Sequence, residues 1–561
     1  MAPAKTPHKR RKRAAADGAS GAEASASPSS TGATRAAAAF DVTLAPGAVL
    51  LVDGACAIRC VDGQCDAHGY EMRANAPAVI ARSVCGVDRG VTVTAGATGA
   101  RVRGEGVEGA TTCRARTRET TTTERDWTPT VITHHWRAVA ESIVNSETAR
   151  GVACAAFIGP KGVGKSTFAR FVANALVSRR GACAWLDLDC GQPELTAPGL
   201  VSLTYLRQPL LGAPQTHQAS GAEFVGAPQA TFSASFVGDV SPQSDPDAYV
   251  RGALRCVDAW KALGDARPPM VINTSGWVKG LGLELTEEVL RAVGSSASDF
   301  FVVNINSHVA SRNAPSVNWF CDYMSPDAVQ PSVQTFEVAA GLGTAPNGAD
   351  ADVEETSADT YELSGDGAVG KSKDTRRSAS DSRALSWLAW SKQAVAMCNN
   401  CPSQGALDFE DGGEVEAFNA TAADLTRATP WKVCLDDIVI HLLHSNLPAR
   451  EALMAINGAV VGLLKAPAPG DERGFAECLG LGLVRGVDAK HRYAYILTPL
   501  PSDKLKLVET LALGKLEFPP RLLGVAGEYP YMHVGTIANI GSGSKAIKSR
   551  NNIVRSSTAR R

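Results

Sequence analysis

The sequence lacks a dominant charge and a membrane-length apolar run. Its 56 Lys and Arg residues nearly balance its 57 Asp and Glu residues, giving a formal net charge of -1. A global basic field for nucleic acid is therefore excluded, and any such surface must be local. No apolar stretch reaches the roughly 20 residues that span a bilayer, and the first residues are basic rather than apolar. We expect a soluble intracellular protein with no membrane partner.

Paired metal-ligand motifs are also scarce. The 14 cysteines lie mostly in apolar stretches, where a free thiol behaves as a small buried hydrophobe. Cys398 and Cys401 form one Cys-x-x-Cys pair, but no second pair stands at zinc spacing. Two reduced thiols near a loop are the favoured interpretation, and a zinc site stays open.

The chain is long enough for about three or four domains. From residue 152 onward, apolar strands alternate with helical segments, which predicts an α/β domain whose parallel sheet carries helices on both faces. Closely spaced short strands before and after it predict a β-rich N-terminal domain and a small β-rich C-terminal domain. The predicted divisions are a basic tail 1–39, the N-terminal domain 40–126, the α/β domain 127–430 with insertions near 208–229 and 347–373, the C-terminal domain 431–535 and a basic tail 536–561.

The motif that carries chemistry follows an apolar run ending at Ile158 and precedes a helix-compatible segment. It fits the G-x-x-x-x-G-K-[ST] phosphate-binding loop, or P-loop, in the required strand, loop and helix order. Its backbone N–H groups would cradle phosphates, Lys165 would reach the β- and γ-phosphates, and Ser166 would ligate Mg²⁺. The predicted nucleotide-binding residues are Gly159, Pro160, Lys161, Gly162, Val163, Gly164, Lys165, Ser166 and Thr167.

Two carboxylates end the next apolar strand. Asp187 and Asp189 would point to one face of an extended strand, at the sheet edge where Mg²⁺ or an attacking hydroxyl would lie. A solvated strand end is the alternative. No Asn-Lys-x-Asp sequence for reading guanine is present, so ATP is the expected nucleotide. The residues alone leave open whether phosphate goes to water or to an alcohol.

The order of four motifs is similar to that of the polynucleotide 5′-hydroxyl kinases. They are the P-loop, Asp187-Leu-Asp189-x-Gly-Gln192, Phe236-Val-Gly-Asp-Val-Ser-Pro and Asn273-Thr-Ser-Gly-Trp277-Val-Lys-Gly. That family includes the cleavage-factor kinases of mRNA and tRNA processing and the nucleolar kinases of pre-rRNA processing. The segments around Asn457-Gly458, Arg485-Gly486 and Thr498-Pro499 resemble the nucleolar branch more. The resemblance runs from about residue 40 to about residue 533.

The resemblance assigns roles to single residues. Lys165, with Ser166 and Thr167, would hold the ATP phosphates and Mg²⁺, and Asp187 would support the metal. Asp189 would orient or deprotonate the 5′-hydroxyl, and Gln192 would face the reacting group. The residues of the expected acceptor clasp are Thr274, Gly276 and Trp277. An ordinary core position for Trp277 is the alternative.

The family also uses lid arginines to neutralise charge on the transferred phosphoryl group. Arg383 is the first candidate and Arg377 the second, and a helix-capping or solvated role is the alternative for both. The resemblance implies an ATP- and Mg²⁺-dependent kinase of RNA 5′-hydroxyl ends in pre-rRNA spacer processing, working with an endonuclease in the nucleus and nucleolus. The basic cluster Lys9–Arg13 suits a nuclear signal, or is a solvated charge run. An ATP-bound scaffold with little transfer, or a switch that only hydrolyses ATP, stays open.

Overall fold

The computed structural model describes the chain in stretches. They are residues 39–83, 90–107, 113–118, 129–146, 152–218, 229–315, 332–340, 378–399, 413–444, 447–467 and 476–523. The α-helices of these stretches are α1 (His134–Val144), α2 (Lys165–Arg180), α3 (Pro246–Lys261), α4 (Leu281–Gly294), α5 (Ala379–Cys398), α6 (Gly413–Arg427), α7 (Ala449–Ala455) and α8 (Ser502–Leu505).

The first sheet is antiparallel and is built around two long strands, β2 and β5. Its strands are β1 (Ala39–Leu44), β2 (Val49–Ala67), β3 (Tyr70–Arg73), β4 (Val79–Ser83), β5 (Val91–Gly106) and β6 (Cys113–Arg116). Register shifts within β2 divide its pairing with β5 into several segments, and such irregularities bend a strand. This lets one strand contribute to a curved β-rich domain, as the sequence predicts.

The central sheet has the order β10-β9-β8-β11-β7-β12-β13. Its strands are β7 (Ala153–Ile158), β8 (Cys183–Asp187), β9 (Leu200–Leu206), β10 (Gln229–Phe236), β11 (Met270–Asn273), β12 (Asp299–Asn306) and β13 (Ser332–Ala339). The five strands from β8 to β13 in this order are parallel, and β9 and β10 extend the sheet in the antiparallel sense. The predicted α/β class is confirmed, and the antiparallel edge makes the sheet mixed.

Helices cover both faces of this sheet. Along β7, Ala155 and Phe157 point to the face packed by α1 and α2, while Cys154 and Ala156 point to the face packed by α3 and α4. This alternation is the normal geometry of a strand that is buried on both sides. On the first face, Trp136 of α1 stacks on Phe168 of α2 with ring centroids 4.4 Å apart. The residues at positions 136, 139, 143 and 144 form the buried side of α1.

The third sheet has the order β14-β18-β17-β16-β19-β15. Its strands are β14 (Trp431–Cys434), β15 (Val439–Leu442), β16 (Val460–Leu464), β17 (Cys478–Asp488), β18 (Tyr493–Leu497) and β19 (Thr510–Leu513). It packs on the central domain through one shared apolar cluster, in which the ring of Phe236 lies directly over Gly462. A Cβ atom at Gly462 would lie 2.6 Å from that ring, so only glycine permits this contact.

Residues 208–218, predicted as the start of an insertion, are part of the packed fold. Leu210 and Leu211 are 1% and 2% exposed, and the loop pairs with the first sheet through Arg82 and Gly212. The predicted insertion 347–373 and both tails lie outside the described residues, and the domain boundaries stay predictions. No helix in the described stretches combines the length and apolar character that crossing a bilayer requires.

Candidate active site

The P-loop connects β7 to α2 and adopts a backbone that requires glycine. Gly159, Gly162 and Gly164 have φ values of 151°, 85° and 97°, a region that side chains other than glycine rarely occupy. A Cβ atom at Gly159 would also lie 2.4 Å from the carbonyl oxygen of Ile305. The helix α2 starts after Gly164 with no side-chain cap from the described residues. Its first N–H groups are therefore available to an anion.

Lys165 is held at the start of α2. The residue is 7% exposed, and Nζ donates a hydrogen bond to the Pro160 carbonyl oxygen at 3.0 Å. Burial lowers the pKa of Lys165 to about 8, against the opposing effect of the Asp189 charge. An ammonium has three donors, so two remain for phosphate oxygens. A buried cation aimed into a phosphate-binding loop fits the predicted nucleotide.

Ser166 is connected to Asp187 through Asn273. Ser166 Oγ donates to Asn273 Oδ1 at 3.1 Å, and Asn273 Nδ2 donates to Asp187 Oδ1 at 3.0 Å. Asp187 is fully buried at the end of β8, and burial raises the pKa of its carboxyl group to about 7. It also accepts from the indole of Trp185 and from the backbone N–H groups of Asp189 and Glu194.

This hydrogen-bonded chain fits a Mg²⁺ ion held beside the P-loop. Mg²⁺ prefers hard oxygen ligands and keeps several of its waters. Of the three hydrogen-bonded side chains, Ser166 is the one that belongs to the P-loop, and its hydroxyl is a suitable ligand. The carboxylate oxygens of Asp187 already accept hydrogen bonds from four protein donors. The geometry therefore favours support by Asp187 through Asn273 and Ser166 over direct contact.

Asp189 follows β8 in a tight loop. Its Oδ1 accepts hydrogen bonds from the backbone N–H groups of Gly191 at 3.1 Å and Gln192 at 3.0 Å. Burial raises the pKa of Asp189, whereas the charges of Lys165 and Lys161 lower it. The strand ends at Asp187, so the predicted placement of both carboxylates on one strand is wrong in detail. The chain turns after Asp187 because the Asp189 N–H donates back to its carboxylate.

The predicted clasp lies against the P-loop. Thr274 Oγ1 donates to the Phe157 carbonyl oxygen at 2.7 Å, and a Cβ atom at Gly276 would lie 3.0 Å from the Cα and N atoms of Lys161. Trp277 is half-buried, with its indole ring over Gly282 at the start of α4. Leu281 beside it is 40% exposed. Trp277 therefore borders solvent next to the loop and is not an ordinary core residue.

The candidate lid arginines are not joined to these residues by described contacts. Arg383 is half-buried in the second turn of α5 and makes no hydrogen bond or ion pair within the described ranges. Arg377 lies outside the described residues, as does Cys401 of the Cys-x-x-Cys pair. Cys398 is half-buried, and its thiol donates to the Thr498 carbonyl oxygen.

The structure adds residues that the sequence did not single out. Glu194 is 1% exposed and lies 2.8 Å from His217 and 3.7 Å from Arg170 of α2. The Arg170 charge and the His217 hydrogen bond keep the pKa of Glu194 below its usual range despite burial. Asn273 is the first residue of the fourth sequence motif, although no role was predicted for it, whereas nothing local distinguishes Glu194.

Two family descriptions match separate parts of the chain. The mRNA cleavage and polyadenylation factor CLP1 P-loop matches residues 159–308, and the NOL9-like C-terminal domain matches residues 426–519. A solved structure of the interface between Pcf11p and Clp1p aligns with a TM-score of 0.50 at 12% identity, covering 86% of this chain and 99% of that chain. At this identity the likeness concerns the fold.

Two of three curated relatives cover about three quarters of this chain, and the third covers a shorter segment. The polynucleotide 5′-hydroxyl-kinase NOL9 of Arabidopsis thaliana is 29% identical over 73% of this chain and 97% of its own length. The human protein of the same name is 25% identical over 75% of this chain and 58% of its own length. The polynucleotide 5′-hydroxyl-kinase grc3 of Aspergillus oryzae is 38% identical over 28% of this chain and 20% of its own length. The chain thus spans nearly all of the first relative and just over half of the human one.

Proposed function

We propose that the chain, which is similar to the NOL9-like polynucleotide 5′-hydroxyl kinases, transfers the γ-phosphate of ATP to the 5′-hydroxyl end of RNA. The observation that carries the proposal is the pairing of Lys165 and Asp189. A buried lysine at the P-loop after β7 and a carboxylate after β8, two strands away in the sheet, act on each other's pKa. A phosphoryl group between them would have a cation on the donor side and a proton acceptor on the other.

Each residue then has a distinct task. The P-loop backbone and Lys165 bind and orient the phosphates, and Ser166, held by Asn273, contributes a metal ligand. Bound Mg²⁺ supplies positive charge that neutralises the phosphate oxygens. Asp189, fixed by two backbone N–H groups, accepts the proton of the 5′-hydroxyl. The 5′-oxygen forms a bond to the γ-phosphorus while the bond to the bridging oxygen breaks, and ADP leaves.

The acceptor is held by the clasp. Gly276 brings the clasp into contact with Lys161, and the half-buried indole of Trp277 offers a surface on which the terminal base stacks. Stacking tolerates any base, which suits an enzyme that acts on many ends. We assign Gln192 to the acceptor side because its backbone holds Asp189. Arg383, with Arg377 as the second candidate, would close over the transferred group.

We further assign the protein to pre-rRNA spacer processing in the nucleolus, next to an endonuclease. Support comes from the NOL9-like C-terminal match and from the basic cluster Lys9–Arg13. The chemistry agrees, because a cleavage that leaves a 5′-hydroxyl yields an end that exonucleases requiring a 5′-monophosphate cannot use.

The test is transfer of labelled γ-phosphate to matched 5′-hydroxyl RNA and DNA oligonucleotides. We expect Lys165→Ala and Asp189→Asn to abolish transfer while circular dichroism and thermal unfolding stay close to those of the wild type. Lys261→Ala, at the far end of α3, is the matched control and should keep full activity. Full transfer by Asp189→Asn would contradict its role as proton acceptor. Tight ATP binding by a wild type that transfers nothing, with or without a nuclease, would favour the scaffold alternative.

A further inference from the structure

A loop after β12 joins the clasp to the P-loop. Lys279, two residues beyond the clasp tryptophan, donates from Nζ to the Ser311 carbonyl oxygen. One residue further, Arg312 donates from Nη2 to the Lys161 carbonyl oxygen at 3.1 Å. Since Gly276 also packs on Lys161, the segments that carry the three cations Lys161, Lys279 and Arg312 contact one another. These three residues are here called the basic ledge.

Within the described stretches, no carboxylate lies at ion-pair distance from the cations of the basic ledge. All three side chains are exposed. Arginines elsewhere on the surface do pair with carboxylates, such as Arg291 with Glu287 and Arg492 with Asp436. The backbone bonds of Lys279 and Arg312 use only part of their donors. A cluster of exposed cations with spare donors is suited to a polyanion.

The ledge lies on the acceptor side of the reacting centre. Lys161 is close enough to Asp189 for its charge to influence that carboxylate, and Lys279 lies beyond Trp277 in the same loop. Two exposed apolar side chains border the same region, Leu281 at 40% and Val309 at 37%. Sites that bind single-stranded nucleic acid usually combine cations along the phosphate backbone with an aromatic ring on which a base stacks.

We propose that the basic ledge binds the internal phosphates of the acceptor strand, from the 5′ end at Asp189 outward over Lys161 to Lys279 and Arg312. The inference rests on the proposed function and extends it: the enzyme selects single strands several nucleotides long over the shortest acceptors. A purely structural role for the two hydrogen bonds, or a role of Arg312 toward ATP, makes different predictions.

The experiment measures steady-state transfer by the full chain with two 5′-hydroxyl RNA acceptors, a dinucleotide and a strand of about twelve nucleotides. Lys279→Gln and Arg312→Gln should each raise the KM for the longer strand about tenfold, with kcat and the KM for ATP unchanged. The KM for the dinucleotide should change by less than about twofold. Each variant should also reduce the dependence of log KM on log salt concentration by about 0.7, the value for one lost phosphate contact of a single strand.

The controls separate charge from structure. Arg312→Lys keeps the charge and should keep the salt dependence of KM. If Arg312 acted only through its hydrogen bond to the Lys161 carbonyl oxygen, both Arg312→Lys and Arg312→Gln would lose that salt dependence. Lys261→Gln, at the opposite edge of the sheet, should behave as the wild type. Unchanged KM and salt dependence in both ledge variants, or a raised KM for ATP alone, would overturn the proposal.

Failure of the proposed function would look different. A wild type that transfers phosphate to neither acceptor would refute the kinase assignment. Fluorescence anisotropy of the labelled longer strand then tests strand binding by the basic ledge independently of transfer. Weaker, less salt-dependent binding by Lys279→Gln and Arg312→Gln supports the proposal. Binding equal to that of the wild type overturns it.

Discussion

The burial of Lys165 predicts that ATP affinity depends on pH in a range where the nucleotide itself no longer titrates. Burial lowers the pKa of this ammonium from 10.5 to about 8, which corresponds to about 3 kcal/mol against holding the charge. The phosphates of ATP bind the protonated form, so binding above about pH 8 requires uptake of a proton. We expect full affinity below that pH and a fall approaching tenfold for each further pH unit.

The assay is isothermal titration calorimetry of ATP from about pH 7 to about pH 9.5. The second pKa of a phosphate group lies near 6, so ATP is almost fully ionised across this range and contributes little change of its own. Repeating the titration in buffers of different ionisation enthalpy counts the protons taken up, which should approach one per ATP at the alkaline end. Lys165→Met removes the titrating group, and its weaker binding should not vary across the range.

The neighbouring carboxylate supplies a second test with a fixed sign. The charge of Asp189 raises the pKa of Lys165, so Asp189→Asn should move the midpoint of the affinity loss to lower pH. Constant ATP affinity of the wild type throughout the range would refute the argument that burial lowers the pKa of Lys165 to about 8. A midpoint that moves to higher pH in Asp189→Asn would refute it as well.

Two further predictions concern buried charges outside the reacting centre. Glu194→Gln should cost about 3 kcal/mol in the free energy of unfolding, since it leaves the Arg170 cation without its buried partner. The control Glu287→Gln, in a partly exposed helical pair, should cost less than about 1 kcal/mol, and equal losses in urea unfolding would contradict the argument. Arg485→Met removes hydrogen bonds to carbonyl groups at the end of α6. It should lower the free energy of unfolding by about 3 kcal/mol without changing the KM for ATP. Unchanged stability would show that those carbonyl groups find other donors.

The parts of the fold that sequence could predict are those set by local patterns. The strands β7 and β11 follow from short apolar runs, and the P-loop follows from glycines whose conformation no other residue adopts easily. The parallel sheet follows in turn, because strands separated by helices return to the same edge. Lys165 and Asp189 meet at that edge for the same reason.

Other contacts depend on how distant segments pack. Glu194 meets Arg170 only because the loop after β8 folds back on α2. Arg485 occurs in a motif of the C-terminal region, and the structure shows that it is 3% exposed and donates to a carbonyl group at the end of a helix. The antiparallel edge of β9 and β10 is equally invisible to periodicity, because a strand buried on both faces has the same composition in either direction. The lid arginines stay a prediction from resemblance.

The β-rich N-terminal sheet takes part in the site although it supplies no predicted catalytic group. The turn between β2 and β3 contacts the P-loop helix, where His68 Nε2 lies 3.2 Å from the Thr167 carbonyl oxygen and Asn174 donates to the His68 carbonyl oxygen at 2.9 Å. Burial lowers the pKa of His68 to about 3, so the ring is neutral and donates to Thr167 at any physiological pH. Gly69 is required beside it, because a Cβ atom there would lie 2.3 Å from the Phe171 carbonyl oxygen. The first turn of α2 presents its N–H groups to phosphate. It is therefore held from two sides, by the central sheet beneath it and by the β2–β3 turn of the preceding domain.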